Sequence, residues 1–483
     1  MPSASKNIFW LTLSRVTALT LLAVAYIFLF RYLGAFRTGQ HQFVLSFTTI
    51  FGVIVDFGIQ QYIIKKMSEE PDKIKTYFQN FLAIEIVLAS FVYAVILIIA
   101  WLNGYEPIVF QAIAISGLGV ALHALSYPFL SVMSANHDLR KVAFINFNNS
   151  IINVAIIAAT IIFHRSIVFL VSNQIIFAVV SLSLYYRFVQ KHIGKPHILT
   201  GFRTLQAPLL KKIMMSALPF AMLVGFSTIY NRIDMILISR MLGYAQNGLY
   251  AAAYKFFDLV AFFPSVVSFS LYPVFARMMA EDNHTSVRAT IEKYLRFLVA
   301  LALPMAIAGS ILARPIILLL AGQEFAAAAP VLSVLIFAPA WLFIYIVANS
   351  LVISQLTKFA VIITGTNVLI NIIGNIILLP RIGIMGAAIM TVASELIQGG
   401  FYFYFVSKKI THFHFSRFFW KPILASFVMA LVLWPLRNSF LLIPVLLGFV
   451  TYVLILAALK FFRKDDLVFV KSFFRSRAPV TDV

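Results

Sequence analysis

The chain of 483 residues contains no cysteine. Disulfides, thiolate metal sites and cysteine nucleophiles are therefore excluded. Charge is scarce: 11% of residues are charged, and acids are the scarcer sign, 17 against 38 basic residues. The sequence has no G-x-x-x-x-G-K-[ST] loop, no G-x-S-x-G turn and no H-E-x-x-H pair. Nucleotide hydrolysis, serine hydrolysis and zinc proteolysis thus lack their usual residues. Long polar stretches are missing as well, so no soluble domain fits between the apolar runs. An enzyme acting outside a membrane needs such a domain to hold its groups. The expectation is a chain that is not an enzyme and uses no cofactor.

What is present is apolar. Hydrophobic residues make up 61% of the chain, and the mean hydropathy is +0.94. A soluble fold of this size cannot hide that much apolar surface. A membrane-spanning helix needs about 20 apolar residues. Fourteen stretches qualify, near 8–30, 42–64, 78–101, 108–134, 142–163, 167–188, 213–239, 248–276, 294–320, 327–353, 359–379, 385–407, 419–436 and 440–461. They are too long for barrel strands and lack strict alternation. The fold class is therefore all-α, a polytopic membrane protein of about 14 transmembrane helices. The first run is too long for a cleavable signal peptide, is broken by Arg15 and lacks a small-residue cleavage site. It reads as the first helix.

The net charge of +21 does not point to nucleic acid. With the N-terminus inside, 27 basic residues fall on the cytoplasmic side. The external connections carry only arginines, at 31, 37, 165, 240, 314, 381 and 437. That is the positive-inside bias, with both termini cytoplasmic in a cell (inner or plasma) membrane and the basic surplus facing anionic lipid.

A repeat relates the two halves. "RYLGAFRTG" (31–39) and "RMLGYAQNG" (240–248) both fit R-x-L-G-x4-G, and Arg31/Arg240, Leu33/Leu242, Gly34/Gly243 and Gly39/Gly248 share one offset. Both copies follow an outward-going helix, so the halves have the same orientation. Parallel six-helix repeats are a transporter design. The expected organisation is a first bundle over 1–190, a basic cytoplasmic linker over 191–212, a second bundle over 213–410, helices 13 and 14 over 411–464, and a cytoplasmic tail over 465–483. The segment "THFHFSRFFWK" (411–421) has two histidines but no further ligand nearby. It reads as an aromatic and basic interfacial segment rather than a metal site.

Charges inside the spans mark the candidate site, since each costs roughly 2.5–3.5 kcal/mol at the centre of an inserting helix. They are Arg15, Asp56, Glu85, His123, Arg232, Asp234, Lys255, Asp258, Arg296 and Glu395. Arg296 lies close enough to the cytoplasmic edge to snorkel. On helix 7, Asn231 and Asp234 share a face while Arg232 points away from Asp234, so the two charges cannot pair along their own helix. Helix 8 carries Tyr254, Lys255 and Asp258 in one polar stripe. Helix 5 has Asn146, Asn149, Ser150 and Asn153 on one face, and helix 11 has Thr364, Asn367, Asn371 and Asn375. These stripes are either interhelical hydrogen-bond glue or cavity lining. Prolines 128, 219, 264, 304 and 339 fall within spans and mark expected kinks.

The stretch "NRIDMILISRMLGYAQNGLYAAAYK" (231–255) resembles the polysaccharide-transporter family, the Wzx-type lipid-linked oligosaccharide flippases of the multidrug/oligosaccharidyl-lipid/polysaccharide exporter superfamily. "RYLGAFRTGQHQFVLSFTTIFGVIVDFGIQQYIIKK" (31–66), with Asp56 in an Asp-Phe-Gly stretch, is similar to its first-half counterpart, and "LPRIGIMGAAI" (379–389) to its entry into helix 12. The resemblance implies two six-helix bundles working by alternating access. It also implies a substrate, an oligosaccharide on a polyprenyl pyrophosphate, moved from the cytoplasmic to the outer leaflet. Arg15, Arg232, Lys255, Asn231, Tyr254 and Asn371 are then candidates for substrate binding. Asp56, Glu85, Asp234, Asp258, Glu395 and His123 are candidates for coupling to H+ or Na+. The other partners expected are membrane lipids and a glycan polymerase. Three alternatives stay open: a cation-coupled multidrug or small-molecule exporter, a lipid II flippase, and an integral-membrane glycan polymerase or ligase.

Overall fold

The computed structural model describes residues 4–56, 58–136, 138–194, 207–412 and 418–461. Most of the expected linker and the C-terminal tail lie outside the described residues. Helices dominate, and no strand occurs among the described residues. Among the described residues, ten segments are long and apolar enough to cross a membrane, and two shorter apolar helices, Trp420–Leu436 and Leu442–Ala458, follow. The fourteen expected stretches lie largely on helices, but a count of fourteen spans is not confirmed. The first two share one kinked helix, one lies on Tyr244–Ala280, and the last two are the shorter pair. The chain packs as two compact units, 1–248 and 249–483.

In the first unit, α1 (Ala4–Asp56) runs through residues 31–41, which the sequence suggested as an external connection. One residue interrupts it: Gly34 sits at φ 66, ψ 178, a conformation open essentially only to glycine. The chain then resumes helix, because Leu33, Ala35 and Phe43 are buried on either side of the break. After α1 come α2 (Ile59–Glu69), α3 (Ile74–Leu102), α4 (Pro107–Ala124), α5 (Tyr127–Ala135), α6 (Leu139–Ile162), α7 (Ile167–Val171), α8 (Asn173–Ile193) and α9 (Ala207–Met241). Helix α1 packs on α3, α4, α6 and α9. Its seam is filled by Leu29, Phe43, Val109, Ile113 and Leu170. A second cluster, including Ile63, Phe78, Phe81 and Met133, fastens α2, α3 and α5. Pro128 falls in the first turn of α5, where its missing N–H costs no helical bond, so the expected kink is a break between α4 and α5.

The two repeat copies meet inside this unit. Gly243 also has positive φ, at 89°, so both copies of the repeat put a glycine where the backbone takes a conformation that side chains disfavour. A Cβ on Gly39 would overlap the Tyr244 carbonyl oxygen, and one on Gly248 would overlap that of Ala35. Ala35 and Tyr244 are themselves equivalent positions of the repeat, so the contact is reciprocal. Asn247 Nδ2 donates to Gly39 O at 2.9 Å and locks it.

Helix α10 (Tyr244–Ala280) begins in the first unit and continues into the second. The second unit adds α11 (His284–Ile311), α12 (Ala313–Ala321), α13 (Ala329–Leu335), α14 (Phe337–Gln355), α15 (Thr357–Ile382), α16 (Ile384–Lys409), α17 (Trp420–Leu436) and α18 (Leu442–Ala458). Helix α16 packs on α13, α14 and α15. The short pair α17 and α18 docks on α11 through Ala300, Met429, Leu433 and Tyr452, whose Oη donates to Ala300 O at 2.7 Å.

Candidate functional site: a polar cavity in the first unit

The helix 5 stripe of the sequence lies on α6. It lines a cavity of about 530 Å³ bounded by α1, α4, α5, α6, α7, α8 and α9. That volume is within the roughly 300–1,000 Å³ of small-molecule sites. Asn146, Asn149, Ser150 and Asn153 come from α6, and Asn173 and Gln174 from the start of α8. Helical spacing puts the α6 residues on one face, since i, i+3, i+4 and i+7 recur every turn. The amides are cross-braced: Asn173 Nδ2 donates to Asn153 Oδ1 at 3.2 Å, and Ser181 Oγ donates to Asn149 Oδ1 at 3.1 Å. Gly119 lets α8 approach α4. A Cβ there would lie 2.9 Å from the Gln174 carbonyl carbon and 3.0 Å from Ile175 N.

Aromatic groups close the other side. His123 stacks on Phe177 at 4.7 Å between centroids and meets Tyr127 edge-on at 5.5 Å. Tyr26 and His41 reach the cavity from α1. No Asp, Glu, Lys or Arg lines the cavity among the described residues. The arrangement offers amide, hydroxyl and imidazole groups with aromatic faces, in a wall that carries no permanent charge.

The other candidates are dispersed. Arg15 and Asp56 lie on α1, with side chains outside the described ones. Glu85 on α3 and Asp234 on α9 are buried. Arg232 is half-buried on α9 and, among the described residues, carries no hydrogen bond or ion pair. Asn231 Nδ2 donates back to Ser227 O at 2.8 Å on its own helix. In the second unit, Lys255 and Asp258 are half-buried on α10, and Tyr254 is buried and stacked on Phe257 at 4.8 Å. Glu395 and Asn371 belong to a buried network. Tyr345 Oη donates to Glu395 Oε2 at 2.6 Å, Asn371 Nδ2 to Ser394 Oγ at 3.4 Å, and Asn375 Nδ2 to Asn371 Oδ1 at 3.1 Å. Among the described side chains, His123 is the one candidate that lines the cavity.

Sequence reasoning passed over His41, Tyr26, Asn173 and Gln174. His41 sat in the presumed external connection, and only the continuity of α1 carries it inward. Asn173 and Gln174 start α8 after a one-residue break from α7, and no apolar period signals that inward step.

These helices and their apolar lengths define a multi-pass membrane protein. Its fold is that of the lipid II flippase MurJ in an inward closed conformation, with TM-score 0.70, 16% identity, and 96% of this chain and 99% of that chain covered. An inward-facing multidrug resistance transporter of the MATE family shares it, with TM-score 0.65, 14% identity, and 81% and 94% covered. The chain belongs to the family of polysaccharide biosynthesis proteins, which it matches over residues 28–330. Among curated proteins it is 23% identical over 211 residues to the probable low-salt glycan biosynthesis flippase Agl15 of Haloferax volcanii, over 43% of this chain and 44% of that protein. It is 26% identical over 160 residues to an uncharacterized membrane protein of Methanocaldococcus jannaschii, over 32% of this chain and 31% of that one. The chain thus spans less than half the length of these two relatives.

Proposed function

We propose that this protein moves a polyprenyl-pyrophosphate-linked oligosaccharide from the cytoplasmic to the outer leaflet of the cell membrane, by alternating access. One observation carries the reading: a chain of the polysaccharide biosynthesis family is built, along 96% of its length, on the fold of a lipid flippase. The name of the Haloferax relative points the same way. The physics of the substrate agrees. A pyrophosphate carries about two negative charges, and an inside-negative potential favours outward movement by roughly 2.3 kcal/mol per charge per 100 mV. Arg232, half-buried and without a described ion pair, is the cation we assign to the phosphate head. Arg15 and Asn231 are further substrate-binding candidates of the first unit, and Lys255, Tyr254 and Asn371 those of the second. Asp56, Glu85, Asp234, Asp258, Glu395 and His123 are the groups through which H+ or Na+ would drive the cycle. Both termini face the cytoplasm, and a glycan polymerase consumes the product outside. In cells depleted of this protein, lipid-linked oligosaccharide should accumulate facing the cytoplasm while outer-face glycan transfer stops. Undiminished outer-face transfer in depleted cells contradicts the reading.

A further inference from the structure

The geometry points to the α6–α8 cavity as a sugar subsite, a place where one or two neutral saccharide units of the cargo are held apart from its anionic head. This inference rests on the flippase reading and adds where the glycan is gripped and by what chemistry. Three observations carry it. First, the described wall contains no charged side chain. Burying an anion or a metal ion there without a compensating charge is strongly unfavourable. Second, the wall alternates amides with aromatic faces. Asn149, Asn153, Asn173 and Gln174 supply the amides, of which Asn149 Oδ1, Asn153 Oδ1 and Asn173 Nδ2 are already engaged and the remaining groups are left for a ligand. His123 and Phe177 present stacked rings beside them. A pyranose has the matching surface, with hydroxyls around its edge and C–H groups on its faces. Third, one acceptor is left over. Asn173 Oδ1 is buried and, among the described residues, has no hydrogen-bond partner, although its Nδ2 is engaged by Asn153. The atom is closed off from solvent, so it accepts from a ligand hydroxyl or acetamido N–H only when the amide turns toward the cavity.

The alternative, that the stripe only glues α6 to α8, accounts for the Asn173–Asn153 and Ser181–Asn149 bonds. It does not account for a volume of about 530 Å³ beside them, because glue packs closed.

The test is saturation-transfer NMR on the full chain in lipid nanodiscs, with glucose, galactose and N-acetylglucosamine as probes. Two variants are compared: Asn153→Ala with Asn173→Ala, which removes amides, and Ser150→Leu, which fills the cavity and keeps them. At least one sugar should show saturable transfer from the wild type, unaffected by added inorganic pyrophosphate. The amide variant should weaken it about tenfold, as expected for one or two lost hydrogen bonds, and the filled cavity at least as much, while each protein elutes as a folded species. Absence of transfer from all three sugars overturns the proposal, and so does transfer unchanged in a folded variant. Competition by pyrophosphate overturns it in favour of an anion site. Measured alongside, translocation of a lipid-linked oligosaccharide separates the two claims. Translocation without sugar transfer removes the subsite and leaves the flippase reading. Sugar transfer without translocation removes the flippase reading and leaves a sugar site.

Discussion

Arg232 is the residue on which the substrate reading can fail most simply. Its neighbour in sequence, Asp234, is buried, whereas the arginine is half-buried on another face of α9. As a phosphate contact, Arg232→Ala should abolish translocation while leaving protein abundance near normal, and Arg232→Lys should retain part of it. As a structural charge, loss of Arg232 should instead cost roughly 3–5 kcal/mol and deplete the folded protein. Measuring abundance and translocation together distinguishes the two. A second prediction concerns Asp138, between α5 and α6 and outside the membrane spans. Burial pushes its carboxyl up, but hydrogen bonds from Lys141 (2.6 Å) and His192 (2.8 Å) prevail and hold it below the usual carboxylate range. A depressed folded-state pKa stabilises above the unfolded value and is lost as pH falls through the folded one. The difference in melting temperature between wild type and Asp138→Asn should therefore be constant near neutrality and begin to shrink at about pH 4, disappearing as pH falls through the lowered folded-state value. Its size should be modest, about 0.2–1 kcal/mol for a partly exposed pair. A difference that grows in acid contradicts this. At this scale the sequence was informative about chemistry and poor on grouping. It singled out the α6 amides and His123, but Asn371, Asn375 and Glu395, equally polar, make hydrogen bonds to neighbouring side chains inside the second unit. Spacing along one helix cannot tell which polar face meets another helix and which meets a void.

Helices were legible wherever their apolar runs were uninterrupted. Breaks were not, because a single residue decides them. Gly34 kinks α1 without ending it, and a one-residue step separates α7 from α8. The repeat was readable as a pattern of glycines, but its cause is tertiary: Gly39 and Gly248 each face a backbone carbonyl where no Cβ fits. Gly39→Ala and Gly248→Ala should each destabilise the first unit by about 1–3 kcal/mol, the usual cost of overpacking. Because both disturb one reciprocal contact, the double variant should cost less than the sum of the singles. Thermal melts of the purified proteins decide it, and melts unchanged in either single variant contradict the packing argument. Gly400 provides the control, since an added Cβ there meets nothing within 4 Å.

At the scale of the whole molecule, the absence of cysteine makes topology directly measurable. Single cysteines at Glu281 and at Asn438 should label oppositely in intact cells, the second from outside and the first only after permeabilisation. Labelling of the Glu281 site from outside contradicts the cytoplasmic assignment. The fold class was legible from composition because the bilayer restricts a long apolar chain to helices. The substrate was not, because one fold hosts many cargoes. The most direct measurement of the central claim is translocation by the purified chain in proteoliposomes. A polyprenyl-pyrophosphate-linked oligosaccharide is placed in the inner leaflet and its glycan is probed from outside with an impermeant glycosidase. The account predicts that the protein renders the inner pool accessible to the enzyme faster than protein-free vesicles do, and that Arg232→Ala does so no faster than they do. Accessibility no faster than in protein-free vesicles, from a monodisperse wild-type preparation supplied with proton and sodium gradients, contradicts it.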